Sequence, residues 1–423
     1  MDWQARTLMY GARWYIKKMM HLQRTAGHYP AAQNFGEMPL YVHIPFCESL
    51  CPFCPFHRVL LDVPLADSYF VALEKQVDKL AEMGYAFNEL YIGGGTPTTR
   101  PKALTSIIRK ATGHWPLKNI AVETNPNHLR KDILLPLRDA GVTRLSVGVQ
   151  SLNDKRLEMI GRLHAYGSSD DILRAIDSAQ GLFPTFNVDM IFNFPDQTER
   201  ELLDDIAKLK ESGVDQISYY PLMPSPARKP SSVKVIDDHK EYEYEQVSYA
   251  KELSMYERIV DSLLPDYQLG SVWCFNRKPQ LLDEYIINNP NYMGIGSGAF
   301  SLLGTEFYST SFDIEKYVLD SREGQNMFAA KQALSPLQRK CYQLLTGLFG
   351  LTVEQSALRE MKTVLAILIP LGVVEKTATK NPLRENYVLT QKGRYWWLVL
   401  MREFFMGVNQ YRRDMRSLSG IKD

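Results

Sequence analysis

The sequence predicts an α/β protein: a parallel, partial (β/α)6 barrel of the TIM type, followed by a C-terminal domain of helical or winged-helix character. Two observations predict it. From Pro39 to about residue 225, a short apolar strand, a turn with Gly, Asn or Pro and an amphipathic helix recur six times, the order that builds a parallel sheet covered by helices. Past Ser335 the pattern changes to helical runs with a strand-like stretch among them. A length of 423 residues leaves room for both, being roughly two to three times that of a common domain.

The elements follow in order. Residues 1–38 form a basic, aromatic leader in which Leu8, Ala12, Tyr15 and Met19 recur at helical spacing with Arg6, Arg13, Lys17 and Lys18 between them. This is an amphipathic helix that either caps the barrel or rests on a membrane surface or over the substrate pocket. Residues 39–225 are the barrel, with strands LYVHI, ELYIGG, NIAVET, RLSVGVQ, FNVDMIF and QISYYPL. Residues 226–334 complete it on the substrate side, beginning with a polar loop at 226–245 and ending in the glycine-rich NYMGIGSGAFSLLG. Residues 335–423 are the C-terminal domain, with helices at SPLQRKCYQLLTGLF and EQSALREMKTVLAILIPLG and a strand-like ENYVLTQKGRYWWLVLMREFF.

Composition narrows the class. Hydrophobic residues make up 45%, charged residues 23%, and the net charge is +1, so nothing global points to a nucleic-acid partner. No run of eighteen apolar residues and no secretory leader is visible, which implies a cytoplasmic protein. Three of the five cysteines fall within eight residues, too close for a disulfide framework, and this favours a metal in a reducing compartment.

Those three are Cys47, Cys51 and Cys54, spaced C-x3-C-x2-C on the loop after LYVHI. Three thiolates can hold three irons of a [4Fe–4S] cubane and leave the fourth open to the amino and carboxylate groups of S-adenosylmethionine (SAM). A zinc site is the alternative, and it requires a fourth ligand such as His57. On a parallel barrel the chemistry gathers at the C-terminal strand ends. There lie GGGTPT (Gly93 to Thr98), whose glycines admit a ligand close to backbone, and Glu123, a carboxylate suited to ribose hydroxyls.

Tyr41-Val-His43-Ile-Pro-Phe-Cys47, the GGGTPT turn and Ser146-Val-Gly148-Val-Gln150-Ser together resemble the HemN-like (class C) radical SAM family, typified by oxygen-independent coproporphyrinogen III oxidase. The resemblance spans about residues 39–405 and implies a radical SAM barrel with a HemN-like C-terminal domain. It also implies two SAM molecules: Tyr41, Gly94 and Glu123 for the one on the cluster, and Phe53, Gly95, Thr96, Gln150, Arg162 and Asp189 for the second. A cluster of this type needs a strong reductant, such as a flavodoxin- or ferredoxin-type electron donor.

Within that family the chain resembles the menaquinone C8-methyltransferases. The resemblance then implies methyl transfer from the second SAM to an sp2 carbon of an apolar aromatic acceptor. Phe56 stands where the porphyrin-pathway oxidases have a further cysteine, and SYYPLMPSP departs from their pattern at the sixth strand. The aromatic, basic stretch WWLVLMREFFMGVNQYRRDMR suits either a buried helix or a peripheral contact with an anionic membrane. A haem-opening methyltransferase, the oxidase itself and a non-catalytic haem chaperone remain as alternatives, so the substrate is a quinone or a tetrapyrrole. Cys274, Tyr219 and Tyr220 are candidates for the group that removes a proton from the methylated adduct.

Overall fold

The structure is a computed structural model, and it describes residues 11, 15–16, 22–223, 248–278, 284–287, 289–354, 361–378 and 385–418. All six expected strands are present: β1 (Met38–Ile44), β2 (Phe87–Gly94), β3 (Asn119–Thr124), β4 (Arg144–Gln150), β5 (Thr185–Phe192) and β6 (Gln216–Pro221). They lie side by side in chain order and pair in parallel. Met293–Ile295 adds a parallel strand beyond β1. Beyond β6 the hairpin of Gln268–Leu269 and Cys274–Asn276 adds two antiparallel ones. The two outermost strands do not pair with each other, so the barrel is open.

Alternation along the strands divides the sheet into an oily face and a chemical one. Leu40, Val42, Leu90, Ile92, Val122, Leu145, Val147, Val188 and Ile217 are fully buried against the covering helices, which include Val63–Glu82, Pro101–His114 and Glu199–Ser212. The alternate positions carry Tyr41, Tyr91, Glu123, Ser146, Asp189 and Ser218, which the parallel register brings into adjacent rows. That polar face is the interior of the open barrel.

One helix-to-loop tie is a pH sensor for stability. Asp205, on the helix Glu199–Ser212, is 1% exposed and accepts hydrogen bonds from Ser151 Oγ (2.9 Å) and the Leu152 amide (3.0 Å), in the loop that leaves β4. Burial lifts its pKa to about 7, against these two hydrogen bonds. A carboxyl raised in the folded state holds a proton that the unfolded chain has released. Its contribution is therefore complete below the unfolded value near 3.8 and is lost as pH rises toward 7. Asp205→Asn keeps the neutral form, and it is expected to remove a pH-dependent loss on the order of 4 kcal/mol between pH 4 and 7. Denaturant titrations of both proteins across that range check it; identical slopes with pH would refute it.

Two regions differ from the sequence reading. The leader helix at 1–21 falls mostly outside the described residues, as do the loop at 226–245 and residues 355–360 of the second C-terminal helix. The described part of the leader contributes a strand, Gln23–Gly27, which pairs with Phe328–Ala333 in a four-stranded antiparallel sheet. Its pairing partner lies about three hundred residues away, and QRTAG has no alternation to announce a strand.

The stretch expected to be strand-like is a strand only over Glu385–Leu389; from Gln391 to Leu418 it is one long helix. The start signal was there to be read. Thr390 Oγ1 accepts from the Gly393 amide at 3.0 Å as an N-cap, and the small Gly393 lets the first turn press on Val373 O, which a Cβ would meet at 1.9 Å. Aromatic content masked this signal. Trp396, Trp397, Phe404, Arg402, Arg412 and Arg416 of this helix are all buried, so they form core and site rather than a membrane-facing surface. Among the described residues no helix is long and apolar enough to cross a membrane.

Candidate functional site

The site begins at the end of β1. After Ile44 the chain forms the short strand Phe46–Cys47, which pairs with Val59–Leu60, and backbone bonds from Val59 to Pro45 O (2.7 Å) and from Leu61 to Cys47 O (2.8 Å) close the intervening segment into a loop. Cys51 and Cys54 stand on a turn within it, with the Cys54 amide on Cys51 O at 3.2 Å. None of the three is in a disulfide, and all three line one cavity.

The C-terminal helix fastens this loop from behind. Arg416 Nη1 donates to Arg58 O and to His57 Nδ1, each at 3.0 Å, while Arg58 donates to Cys51 O. With Nδ1 accepting, His57 presents Nε2–H to Ser297 Oγ at 3.0 Å. His43 beside it donates from Nε2 to His57 O at 2.9 Å and accepts at Nδ1 from Tyr41 OH at 2.9 Å. Burial drives both imidazoles toward the neutral form, His43 down to about 3 and His57 well below its usual value. Both ring nitrogens of His57 are thus committed, and the zinc alternative loses its fourth ligand.

The donor set fits a polynuclear cluster. Among the described residues no three metal-ligating side chains converge on a single ion. A zinc site needs four donors meeting at about 2.3 Å, whereas in a cubane each thiolate takes its own iron. Cys47 is pushed up to about 12, chiefly by burial, with Thr96 Oγ1 (3.5 Å) partly opposing, so metal binding at this thiol must displace a proton. Gly95 leaves the space: a Cβ there would lie 2.7 Å from Phe46 O and 3.0 Å from Cys47 Sγ. Gly94, at φ +118°, adopts a backbone open to glycine alone, and a Cβ would strike the His43 ring at 2.6 Å.

The structure brings all nine residues expected to contact SAM into the same cavity wall: Tyr41, Phe53, Gly94, Gly95, Thr96, Glu123, Gln150, Arg162 and Asp189. Glu123 accepts from Tyr91 OH at 2.9 Å and from the Gly94 amide at 3.0 Å. Burial raises its pKa, as it does that of Asp189, which accepts from Ser146 Oγ (2.8 Å) and Asn187 Nδ2 (2.7 Å). Gln150 sits at φ +74°, where β4 loses register with β5, a strained conformation for a non-glycine residue at the mouth of a site. Arg162 differs in detail from the sequence reading. Its Nη1 lies 3.1 Å from Cys51 Sγ, its Nη2 serves Asn125 Oδ1 (2.9 Å) and Gly148 O, and its plane covers Tyr166 at 4.0 Å. The cation faces the cluster cysteine.

Of the three base candidates, Tyr220 alone lines the cavity. Tyr219, one residue earlier, points to the helix face and packs on Phe192. Cys274 pairs with Ser218 one step below Tyr220, fully buried, with its thiol 3.4 Å from Asn276 Oδ1. Neither Tyr219 nor Cys274 can reach a ligand there. The sequence reading missed Arg412, Tyr285, Phe405 and Trp273, which complete the wall from distant segments that no local motif links to the cysteines.

Residues 41–209 match the radical SAM superfamily. This segment is similar to radical SAM domains. That superfamily uses a [4Fe–4S] cluster and SAM, and the donor set and glycine cradle above fit both. The chain is similar to a heme chaperone, HemW, of Bacillus subtilis (34% identity over 194 residues, 44% of this chain and 50% of that protein) and to one of Lactococcus lactis (28% over 298 residues, 66% and 73%). It is also similar to the oxygen-independent coproporphyrinogen III oxidase of Escherichia coli (31% over 200 residues, 45% and 43%). The matches to the Bacillus chaperone and to the oxidase thus span half or less of those proteins. The solved structure of the Escherichia coli enzyme, HemN, superposes with a TM-score of 0.71 at 21% identity, covering 93% of this chain and 95% of that one, so the radical SAM fold and the C-terminal helical region are shared.

Proposed function

We propose that this chain is a radical SAM enzyme acting on a tetrapyrrole held in the cavity that the three cysteines open. The observation that carries this reading is the composition of the cavity wall. Cys47, Cys51, Cys54 and the nine SAM-type residues share it with an aromatic surface that includes Tyr285, Trp273, Phe300 and Phe405. Such a surface suits a large planar conjugated ring, and tetrapyrroles are named in the relatives of both kinds.

When bound, the reduced cluster and SAM supply reductive cleavage of a C–S bond and a species that abstracts hydrogen. The chain's own residues do the rest. Glu123 and the Gly94 backbone offer acceptor and close approach for a nucleoside, and Arg162 sets a positive charge beside Cys51. The aromatic wall and the long C-terminal helix keep bulk water from the reacting face, and Tyr220 offers a hydroxyl at the strand end.

A second reading, methyl transfer to an sp2 carbon with menaquinone as acceptor, draws support from two observations. The residues expected to hold a second SAM, among them Phe53, Gln150 and Asp189, share the cavity, and Phe56 lines it where the oxidases have a cysteine. Anaerobic incubation of the reconstituted, reduced protein with SAM and either haem, coproporphyrinogen or menaquinone separates the readings. The tetrapyrrole reading expects 5′-deoxyadenosine together with a mass change in a tetrapyrrole. A methylated quinone with S-adenosylhomocysteine would replace it by the second reading, and tight haem binding without SAM cleavage would make the chain a carrier.

A further inference from the structure

We infer that Arg412, on the long C-terminal helix, forms an anion subsite in the cavity wall that takes a carboxylate carried by the conjugated substrate. Arg412 is 9% exposed and lines the cavity, within electrostatic reach of Tyr41, Tyr285 and Cys54. Its guanidinium lies between Phe56 and Phe300, 5.4 and 5.5 Å from the ring centroids, which fixes its plane. Nη1 donates to Asn409 Oδ1 at 2.8 Å, one turn earlier on the same helix, and Nε has no hydrogen-bond partner.

Two other buried arginines are neutralised by carboxylates. Arg402 pairs with Glu252 and Glu403, and Arg156 with Asp196 and Glu201. Among the described residues no carboxylate forms an ion pair with Arg412, although burial works against its charged form. An arginine that stays ionised, is braced on two aromatic faces and has donor edges left over is built to receive a planar anion. The surrounding surface specifies what that anion is attached to. Tyr41 and Tyr285 stack at 5.1 Å, and Trp273 and Phe405 extend the same aromatic wall. The ligand class is therefore a flat conjugated ring bearing a carboxylate, a description that a carboxylate-bearing tetrapyrrole meets and an uncharged quinone does not.

The inference rests on the reading that this cavity takes substrate, and the test separates the two. Cluster-loaded protein is titrated with protoporphyrin and its dimethyl ester, and in parallel with 2-naphthoate and its methyl ester. The wild-type protein is expected to favour each acid over its ester by about tenfold to a hundredfold. Arg412→Gln should bring that ratio to within about threefold, Arg412→Lys should retain part of it, and the electron paramagnetic resonance spectrum of the reduced cluster should stay the same. Naphthoate preference that depends on Arg412, without porphyrin binding, would uphold the subsite and defeat the tetrapyrrole reading. Equal binding of acid and ester by the wild type, or an intact ratio in Arg412→Gln, would overturn the subsite. A changed cluster spectrum with the ratio intact would make Arg412 a counter-charge for the cluster instead. If Arg412→Gln does not fold, the wild-type ratio and Asn409→Ala, which removes the amide that orients Nη1, decide the matter.

Discussion

Cys51→Ser is expected to empty the iron site, taking bound iron from about four atoms per chain to under about one, and to abolish SAM cleavage. Serine keeps the volume but is a poor ligand for a cluster that depends on three thiolates. Cys51 is buried, faces the cavity and receives Arg162 Nη1 at 3.1 Å, so its loss also leaves that guanidinium beside a neutral hydroxyl. Cys274→Ser supplies the control. Its thiol lies fully buried off the cavity against Asn276, and the variant should bind iron at the wild-type level. Iron and sulfide analysis with the visible charge-transfer absorption reads both. Full iron loading in Cys51→Ser would mean that the cysteines do not hold the cluster as described.

Arg402→Met should cost on the order of 3–5 kcal/mol, because it strands a carboxylate in the interior. Glu252 is fully buried on the helix Tyr249–Leu263 and receives Arg402 Nη1, Tyr395 OH at 3.2 Å and Asn193 Nδ2 at 3.3 Å. Asn193, at φ +67°, directly follows β5, so this cluster locks the long C-terminal helix to the end of a central strand. Farther along the same helix Phe405 and Arg412 wall the cavity, and Arg416 holds the cysteine loop. The paired change Glu252→Leu with Arg402→Met removes this charge pair, leaves Glu403 without Arg402, and should recover part of the loss. Unfolding midpoints in denaturant check the pair. A midpoint in Arg402→Met equal to that of the wild type would show that the helix is anchored elsewhere.

Much of the barrel was legible because its strands alternate. Leu40, Val42 and Ile44 against Tyr41 and His43 announce a buried strand with one polar face, and the same holds from β2 to β6. The residues expected to contact SAM share one cavity for a related reason: they stand on the barrel strands or on the loops that follow them, so the parallel register brings them to one side of the sheet. That same alternation separates Tyr220, which reaches the cavity, from Tyr219, which cannot.

What stayed hidden depends on long-range contact. Arg412 lies some 360 residues from the cysteines, and only the docking of the last helix brings it beside Phe56. The helix itself was read partly as strand because its tryptophans and tyrosine favour strands locally, and tertiary burial overrides that preference. The His57 zinc alternative could not be dismissed until Ser297 and Arg416, both distant in sequence, were seen to occupy its two nitrogens.

In the proposed site Cys47, Cys51 and Cys54 present a [4Fe–4S] cluster with an open iron to SAM inside this one cavity. Electron paramagnetic resonance of the anaerobically reduced protein, recorded before and after adding SAM, tests it directly. A [4Fe–4S]+ signal is expected whose g-values move when SAM binds, and Glu123→Gln should raise the SAM concentration needed to complete that move. A signal that SAM leaves unchanged, or a spectrum of another cluster type, would contradict it.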